Sequence, residues 1–296
     1  MPDLAFAPLV LDESVWTERE RLHATRVSRF LEPHERRARC GEAHPVWDFL
    51  FSYYSLRPRQ LRRWHPGFGV ALAGHSAGRF LDRSGYGRHS DAVSVTHAHL
   101  SSRVETVRFI AGLLRATAGR PARFNCFGMH EWAMVYRTPE VRHETVPLRL
   151  SAAETDAVVE SIPLRCSHFD AFRFFTPSAA PLNAEALSRE GQLASEQPGC
   201  VHAAMDVYKW AYKLGALVDS DLVAESLELA ADARALDMRA SPYDLTSFGF
   251  DAIEIETPSG RAEYVRMQQD VANRAAPLRE ALAERCELLL SAARAD

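Results

Sequence analysis

The sequence predicts a mostly α-helical protein. Apolar residues recur at helical spacing in several long segments, for example along Leu100–Ala118. The chain shows no alternation of strand and helix patterns and no repeat with a period of 20–50 residues. With 296 residues, 47% of them hydrophobic and 25% charged, it can form an ordinary hydrophobic core. We therefore expect a single helical domain over residues 1–296.

The N-terminal part is expected to form a charged helix over residues 12–40, which Pro33 should kink or break. The remaining core is expected over residues 42–279, beginning with a second helix at Pro45–Leu56. Residues 67–96 contain six glycines, a density that disfavours regular structure. We expect an irregular, glycine-rich insertion there.

Capping signals and apolar periodicity place the later helices. Ser151 and Glu154 form a capping box ahead of a helix at 152–161. The other expected helices cover Leu100–Ala118, Phe124–Arg137, the residues from Asn183 to Ala194, Gly199–Lys213, Ser220–Leu236, Ser259–Ala272 and Pro277–Ala293. Ile253–Glu256 alternates apolar and acidic residues and is expected to be a short edge strand.

Composition and charge exclude several classes of protein. The net charge of −4 and the isoelectric point near 6.3 disfavour a dedicated nucleic-acid scaffold. The sequence has no run of 18 apolar residues and no positively charged leader, so we expect a cytoplasmic protein that does not enter the membrane. Five widely spaced cysteines without a CxxC pair argue against a disulfide framework or a structural zinc site.

Three segments place ionisable residues inside apolar, aromatic sequence. They are Phe124–Arg137, Cys166–Pro177 and Gly199–Lys213. A buried ionisable group costs several kcal/mol unless a partner, metal or ligand compensates it. We therefore predict that the three segments line one pocket, with His130, His168 and His202 within about 15 Å of one another.

Metal binding is one interpretation of these histidines. His130, His168 and His202 could bind iron or a haem, because imidazoles from several helices can converge on one ion. The sequence contains no HExxH and no paired ExxH pattern, and a hydrogen-bonded structural role remains the alternative for each histidine.

Carboxylates in the same segments are candidates for acid–base chemistry. Glu131 and Asp170 could activate water, and His202 and Asp206 share a helix face at i, i+4. The structural alternatives are an Asp170–Arg173 pair and an Asp206–Lys209 pair, both at i, i+3.

Two nucleophile patterns are also present. Cys126, Cys166 and Cys200 each have a histidine nearby in sequence, and Ser76 lies in a GxSxG pattern, GHSAG. The segment after GHSAG is a poor helix, whereas the serine elbow requires a strand before it and a helix after it.

A basic stretch, RPRQLRR, spans residues 57–63. Arg57, Arg59, Arg62 and Arg63 could hold nucleic-acid phosphates, or they could form a solvated turn with their stems on aromatic rings.

Four strings in the chain resemble a known family. They are HPVWDFLFSYYSLRPRQLRRWHPG, FNCFGMHEWAMVYR, RCSHFDAFRFFTPSAAPLN and EQPGCVHAAMDVYKWAYKL. The chain is similar here to an actinobacterial family commonly labelled 3-methyladenine DNA glycosylase, over roughly Glu42 to Arg279. The sequence contains neither the helix–hairpin–helix nor the cysteine–histidine zinc motif of known glycosylases, so the resemblance assigns no catalytic residue.

Two functions follow as hypotheses. The resemblance implies a DNA-repair hydrolase that cleaves the N-glycosidic bond of an alkylated purine in duplex DNA without a cofactor. Trp132 or Trp210 would then stack on the base, with Tyr136, Arg173 and Lys209 completing the substrate contacts. The residues themselves also allow a metal- or haem-dependent, oxygenase-like enzyme that acts on a small aromatic substrate.

Overall fold

A computed structural model describes residues 8–139 and 146–294, and it confirms the mostly helical class. The α-helices are α1 Glu13–Cys40, α2 Phe49–Ser52, α3 Pro58–Leu61, α4 His97–Ala118, α5 Met129–Ala133, α6 Ala152–Ser161, α7 Phe169–Phe172, α8 Gln192–Ser195, α9 Val201–Leu214, α10 Ser220–Arg239 and α11 Pro258–Ala292. The strands are β1 Leu9–Leu11, β2 Val70–Leu72, β3 Tyr86–His89 and β4 Ala92–Val95. Turns of 3₁₀ helix lie at His75–Asp82, Ala180–Leu182, Gly215–Leu217 and Thr246–Phe248.

The centre of the molecule is helix α9. It packs against α10 and α11, and α11 also packs along α4. Apolar residues surround α9 on nearly every side, so His202, Asp206 and Lys209 are carried into the interior with them. Helix α10 is capped by Asp219, whose side chain accepts a hydrogen bond from the Leu222 amide.

Two prolines lie inside long helices without ending them. Helix α1 continues through Pro33 and ends at Gly41, which has a φ of 70°. The expected helices at Ser259–Ala272 and Pro277–Ala293 are a single helix, α11, with Pro277 inside it. A proline removes one backbone hydrogen bond. In α11, residues on both sides of Pro277 are buried against the core, which stabilises the continuous helix. The buried residues of α1 all precede Pro33.

The glycine-rich region 67–96 contains more regular structure than expected. Strand β2 pairs parallel with β1 and antiparallel with β4, which in turn pairs with β3. Positive φ angles at Gly74 and Gly85 allow the turns between the short strands. The glycines therefore mark the turns of a small sheet, ordered β1-β2-β4-β3.

Several predicted helices are shortened to about one turn. In Phe124–Arg137 the left-handed residues Phe127 and Gly128 delay the start of α5 to Met129. The segments Pro45–Leu56 and 183–194 retain only α2 and α8. Apolar composition indicated burial correctly there, but burial does not require a long helix.

Two local predictions have opposite outcomes. The capping box of Ser151 and Glu154 is confirmed at the start of α6. The edge strand at Ile253–Glu256 is wrong, because these residues form coil and a turn in which Ile253 and Ile255 are buried.

None of the helices in the described ranges combines the length and apolar character needed to cross a lipid bilayer.

Candidate metal centre

The three predicted segments meet around one cavity of about 350 Å³. Glu131 comes from the first segment, Asp170 and Phe174 from the second, and His202 from the third. The ring centroids of His130 and His202 are 4.3 Å apart, and those of His168 and His202 are 5.3 Å apart. The predicted convergence of the three histidines is therefore confirmed.

The first cluster of candidate ligands, which we call site A, consists of His130, His202 and Asp237. One ligand atom from each lies within 4.8 Å of the others, and all three residues are buried. The Nε2 atom of His130 is 3.1 Å from Oδ1 of Asp237. Two imidazoles and a carboxylate in this arrangement could hold a transition-metal ion.

Arg234 supports site A from helix α10. Its Nη1 atom donates to Oδ2 of Asp237 and to Oε1 of Glu131, each at 2.9 Å. Burial lowers the pKa of Arg234, but the two carboxylates outweigh this effect and raise it. The guanidinium also lies over the ring of Phe49, 4.0 Å from its centroid. Arg234 therefore fixes Asp237 next to His130 and places Glu131 at the cavity.

The second cluster, site B, consists of His168, Glu196 and Asp206. Its ligand atoms also lie within 4.8 Å of one another, and each residue is no more than 2% exposed. His168 Nε2 is 3.2 Å from Oδ2 of Asp206 and 3.5 Å from Oε1 of Glu196. A buried imidazole between two carboxylates can carry a proton or share a metal ion with them.

Lys209 supports site B in the way that Arg234 supports site A. Its Nζ atom donates to Oδ2 of Asp206 at 2.8 Å and to Oδ2 of Asp170 at 2.7 Å. Burial opposes the charged form of Lys209, but the two carboxylates raise its pKa. Asp170 thus faces the cavity while sharing one cation with Asp206.

The imidazoles differ in protonation. Burial, reinforced by His130, lowers the pKa of His202 well below its ordinary value, so this ring is neutral. Burial also disfavours the charged form of His168, but the carboxylates of Glu196 and Asp206 outweigh it and raise its pKa. A neutral imidazole is the form that binds a metal ion, so His202 needs no deprotonation to act as a ligand.

Of the two alternatives considered for Asp206, the pair with Lys209 is present and a pairing with His202 is not. His202 and Asp206 both lie on α9, but Asp206 bonds to His168 and Lys209, and no hydrogen bond joins it to His202 among the described residues. His202 instead contacts the rings of His130 and His168. Spacing along a helix brought both side chains into the interior, whereas residues from other elements decided their partners.

Asp170 has more partners than the predicted one. The Nε atom of Arg173 lies 3.6 Å from Oδ1 of Asp170, and Arg189 Nη2 donates a hydrogen bond to the same oxygen at 2.6 Å. Burial alone would raise the pKa of Asp170, but Lys209, His168 and Arg189 keep it low. Asp170 is therefore ionised and held in place at the cavity.

The aromatic residues proposed to contact a base are core residues. Trp132 is fully buried, and its Nε1 atom donates to the carbonyl of Ala240 at 2.8 Å. Trp210 is buried against Phe109 and under Lys209. The Tyr136 hydroxyl donates to Glu160. None of the three rings lines the cavity, so a stacked base would require them to move.

The four arginines of residues 57–63 are exposed, as a phosphate-binding surface requires. Arg62 is already paired with Glu35 through hydrogen bonds of 2.5 and 2.8 Å. DNA binding by this stretch stays a prediction, and salt-dependent binding to a duplex that carries a methylated adenine would test it.

The nucleophile patterns gain no support from the environment of these residues. Burial raises the pKa of Cys126 and Cys200, and it raises that of Cys166 to about 12, so the thiolate form is disfavoured. Ser76 lies in a 3₁₀ turn, where its amide donates to Glu13.

Sequence reasoning missed Asp237, Arg234 and Glu196. Arg234 and Asp237 lie in the apolar stripe of α10 beside Leu227, Ala230 and Met238, and a charge on a buried stripe was a usable signal. Glu196 follows the one-turn helix α8, where no apolar stripe in the sequence indicates that it is buried.

Comparisons with protein-family models, with curated proteins and with solved structures found no match. The glycosylase hypothesis, which rests on resemblance, therefore stays a prediction. The fold and site describe a mostly helical protein with two groups of buried residues that could hold metal ions.

Proposed function

We propose that this protein is a metal-dependent enzyme in which site A binds a transition-metal ion, with iron(II) as the first candidate. The observation that carries the proposal is the convergence of His130, His202 and Asp237 beside the cavity. Two histidines and one carboxylate form the ligand set of non-haem iron(II) enzymes, and zinc hydrolases use a similar set.

The surroundings of site A support a ligand role over a purely structural one. His202 is buried, neutral and in edge contact with the ring of His130, although a structural histidine would gain more from a carboxylate partner. Arg234 orients Asp237, as groups around metal ligands commonly do.

The cavity favours a small substrate with an aromatic or apolar part. Its volume of about 350 Å³ lies within the range of small-molecule sites, roughly 300–1,000 Å³. Phe49, Tyr53, Met134 and Phe174 supply apolar lining. Because His202 also lines the cavity, a substrate there would lie beside an ion in site A.

Two cavity carboxylates are candidates for proton transfer. Glu131 and Asp170 both face the cavity, and each is held by a buried cation. Asp170 is held by three cations, Lys209, Arg173 and Arg189, which disfavour its taking up a proton, so we take Glu131 as the better candidate. Its role would be to take or return a substrate proton next to the ion.

Metal analysis of purified protein tests the proposal. Wild-type protein produced with iron in the medium should contain bound transition metal, and His202→Ala should contain at least one ion fewer per chain. The exposed histidine His89 provides the matched control, since His89→Ala should leave metal content unchanged. A metal-free wild type, also after addition of Fe²⁺, Mn²⁺ or Zn²⁺, would refute the proposal.

A further inference from the structure

We propose that site B binds a second metal ion, so that His130, His202 and Asp237 together with His168, Glu196 and Asp206 form a binuclear centre. This inference rests on the proposed function, because it extends a metal ion in site A to a pair of ions. Site B is the second group of three ligand atoms within 4.8 Å of one another in the described part of the chain.

The two sites are built alike. Each contains a carboxylate that contacts a histidine Nε2 atom, Asp237 in site A and Asp206 in site B. Each of these carboxylates also accepts a hydrogen bond from a buried cation that reaches on to a cavity carboxylate. Arg234 joins Asp237 to Glu131, and Lys209 joins Asp206 to Asp170. The same arrangement therefore surrounds both groups of ligands.

The two sites also adjoin each other. His202 of site A lies between the other two imidazoles, in edge contact with His130 and stacked on His168 at an interplanar angle of 30°. Imidazoles and carboxylates projecting inward from helices hold paired iron or manganese ions in helical proteins. Four of the six candidate ligands lie in helices here, and His168 and Glu196 directly flank the one-turn helices α7 and α8.

The candidate ligand atoms of site B face one another, and two of the residues, Glu196 and Asp206, also have partners outside the group. Glu196 is 2% exposed, and its Oε1 atom accepts a hydrogen bond from Gln192 Nε2. The Nε2 atom of His168 contacts both carboxylates, and a metal ion would take the place of the proton on this atom. Lys209 contacts only Asp206 among the three candidate ligands. The ammonium group of Lys209 would then neutralise the Asp206 carboxylate without being a ligand of the ion.

Zinc stoichiometry tests the second site. Protein treated with EDTA is reloaded with excess Zn²⁺, freed of unbound metal by gel filtration and analysed by atomic absorption. We expect two zinc ions per chain in the wild type, one in Glu196→Gln and one in His130→Asn. Glu190→Gln and His89→Asn change exposed residues and should retain both ions. Asp206→Asn provides a second site-B variant, should Glu196→Gln fail to fold by circular dichroism.

The outcomes separate the two proposals. One zinc ion that is lost in His130→Asn and retained in the site-B variants would overturn the second site and leave the proposed function intact. One ion that is lost in the site-B variants and retained in His130→Asn would overturn the ion in site A, and with it the proposed function and the binuclear centre. A wild type that binds no zinc would overturn the proposed function, and the binuclear centre with it.

Discussion

Replacement of Arg234 by methionine should destabilise the metal-free protein strongly. Arg234 is 1% exposed and is bonded to Glu131 and Asp237, which are 4% and 0% exposed. Removing one partner of a buried ion pair costs about 3–5 kcal/mol, because the remaining charge is left uncompensated. With an unfolding entropy of about 2.1 cal/mol/K per residue, a chain of 296 residues should lose about 5–8 °C in Tm.

Zinc should restore part of this loss if site A binds a metal. A divalent ion next to Asp237 replaces some of the positive charge that Arg234 supplied. At 100 times its Kd, an ion stabilises the folded state by about 2.7 kcal/mol, or roughly 4 °C by the same conversion.

Differential scanning fluorimetry with and without Zn²⁺ measures both effects. The control is Arg274→Met, since Arg274 forms an exposed pair with Asp232. Exposed pairs contribute about 1 kcal/mol or less, so its Tm should change by less than about 2 °C. If the Tm of Arg234→Met differed from that of the wild type by no more than the Tm of Arg274→Met does, the stabilising role of Arg234 beside Glu131 and Asp237 would be refuted. If Zn²⁺ raised the Tm of neither wild type nor Arg234→Met, the proposal that site A binds a metal ion would be contradicted.

Three further predictions concern pH and packing. The folded pKa of His168 is raised, so its stabilising contribution is fully present below the unfolded value of about 6.5 and is lost as the pH rises through the folded value. In metal-free protein, the difference in unfolding free energy between wild type and His168→Asn should therefore be largest below about pH 6.5 and shrink at higher pH. Chemical denaturation at a series of pH values measures this difference. A difference that does not change with pH would contradict the raised pKa of His168. Gly260→Ala would place a Cβ 2.0 Å from the carbonyl oxygen of Glu254 and should lower the free energy of unfolding by roughly 1–3 kcal/mol. The control is Gly78→Ala, whose Cβ would have no atom within 4 Å and which should leave the free energy of unfolding nearly unchanged in the same assay. Thr257 caps α11 by accepting from the Gly260 amide, so Thr257→Ala should cost about 0.5–2 kcal/mol, and an unchanged denaturation midpoint would argue against the cap.

Much of the fold could be predicted from the sequence where local signals agree with tertiary packing. The apolar pattern around α9 and the capping box at Ser151 each correspond to an element close to the expected place. Local sequence signals gave wrong predictions where contacts between distant residues determine the secondary structure. Pro33 was expected to kink or break its helix, and Pro277 was expected to begin a separate one, but both helices are continuous. Buried residues on both sides of Pro277 stabilise the single helix α11. The glycines of residues 67–96 obscured strands of only three or four residues.

The candidate site was predictable to the level of segments, but its pairings were not. Ionisable residues in apolar sequence correctly indicated that His130, His168 and His202 converge, because unpaired charges are not tolerated in a core. The partner of each residue depends on helices that are distant in sequence. Asp237 reaches His130 across 107 positions, and Asp206 reaches His168 across 38. No spacing rule within one segment contains that information.

The most direct measurement of the central claim is anomalous X-ray diffraction from crystals grown with Zn²⁺ or Mn²⁺. We expect an anomalous peak about 2.0–2.2 Å from a ring nitrogen of His130, a ring nitrogen of His202 and a carboxylate oxygen of Asp237. Crystals of metal-loaded protein that show no peak among these three residues, or a peak only at the protein surface, would contradict it.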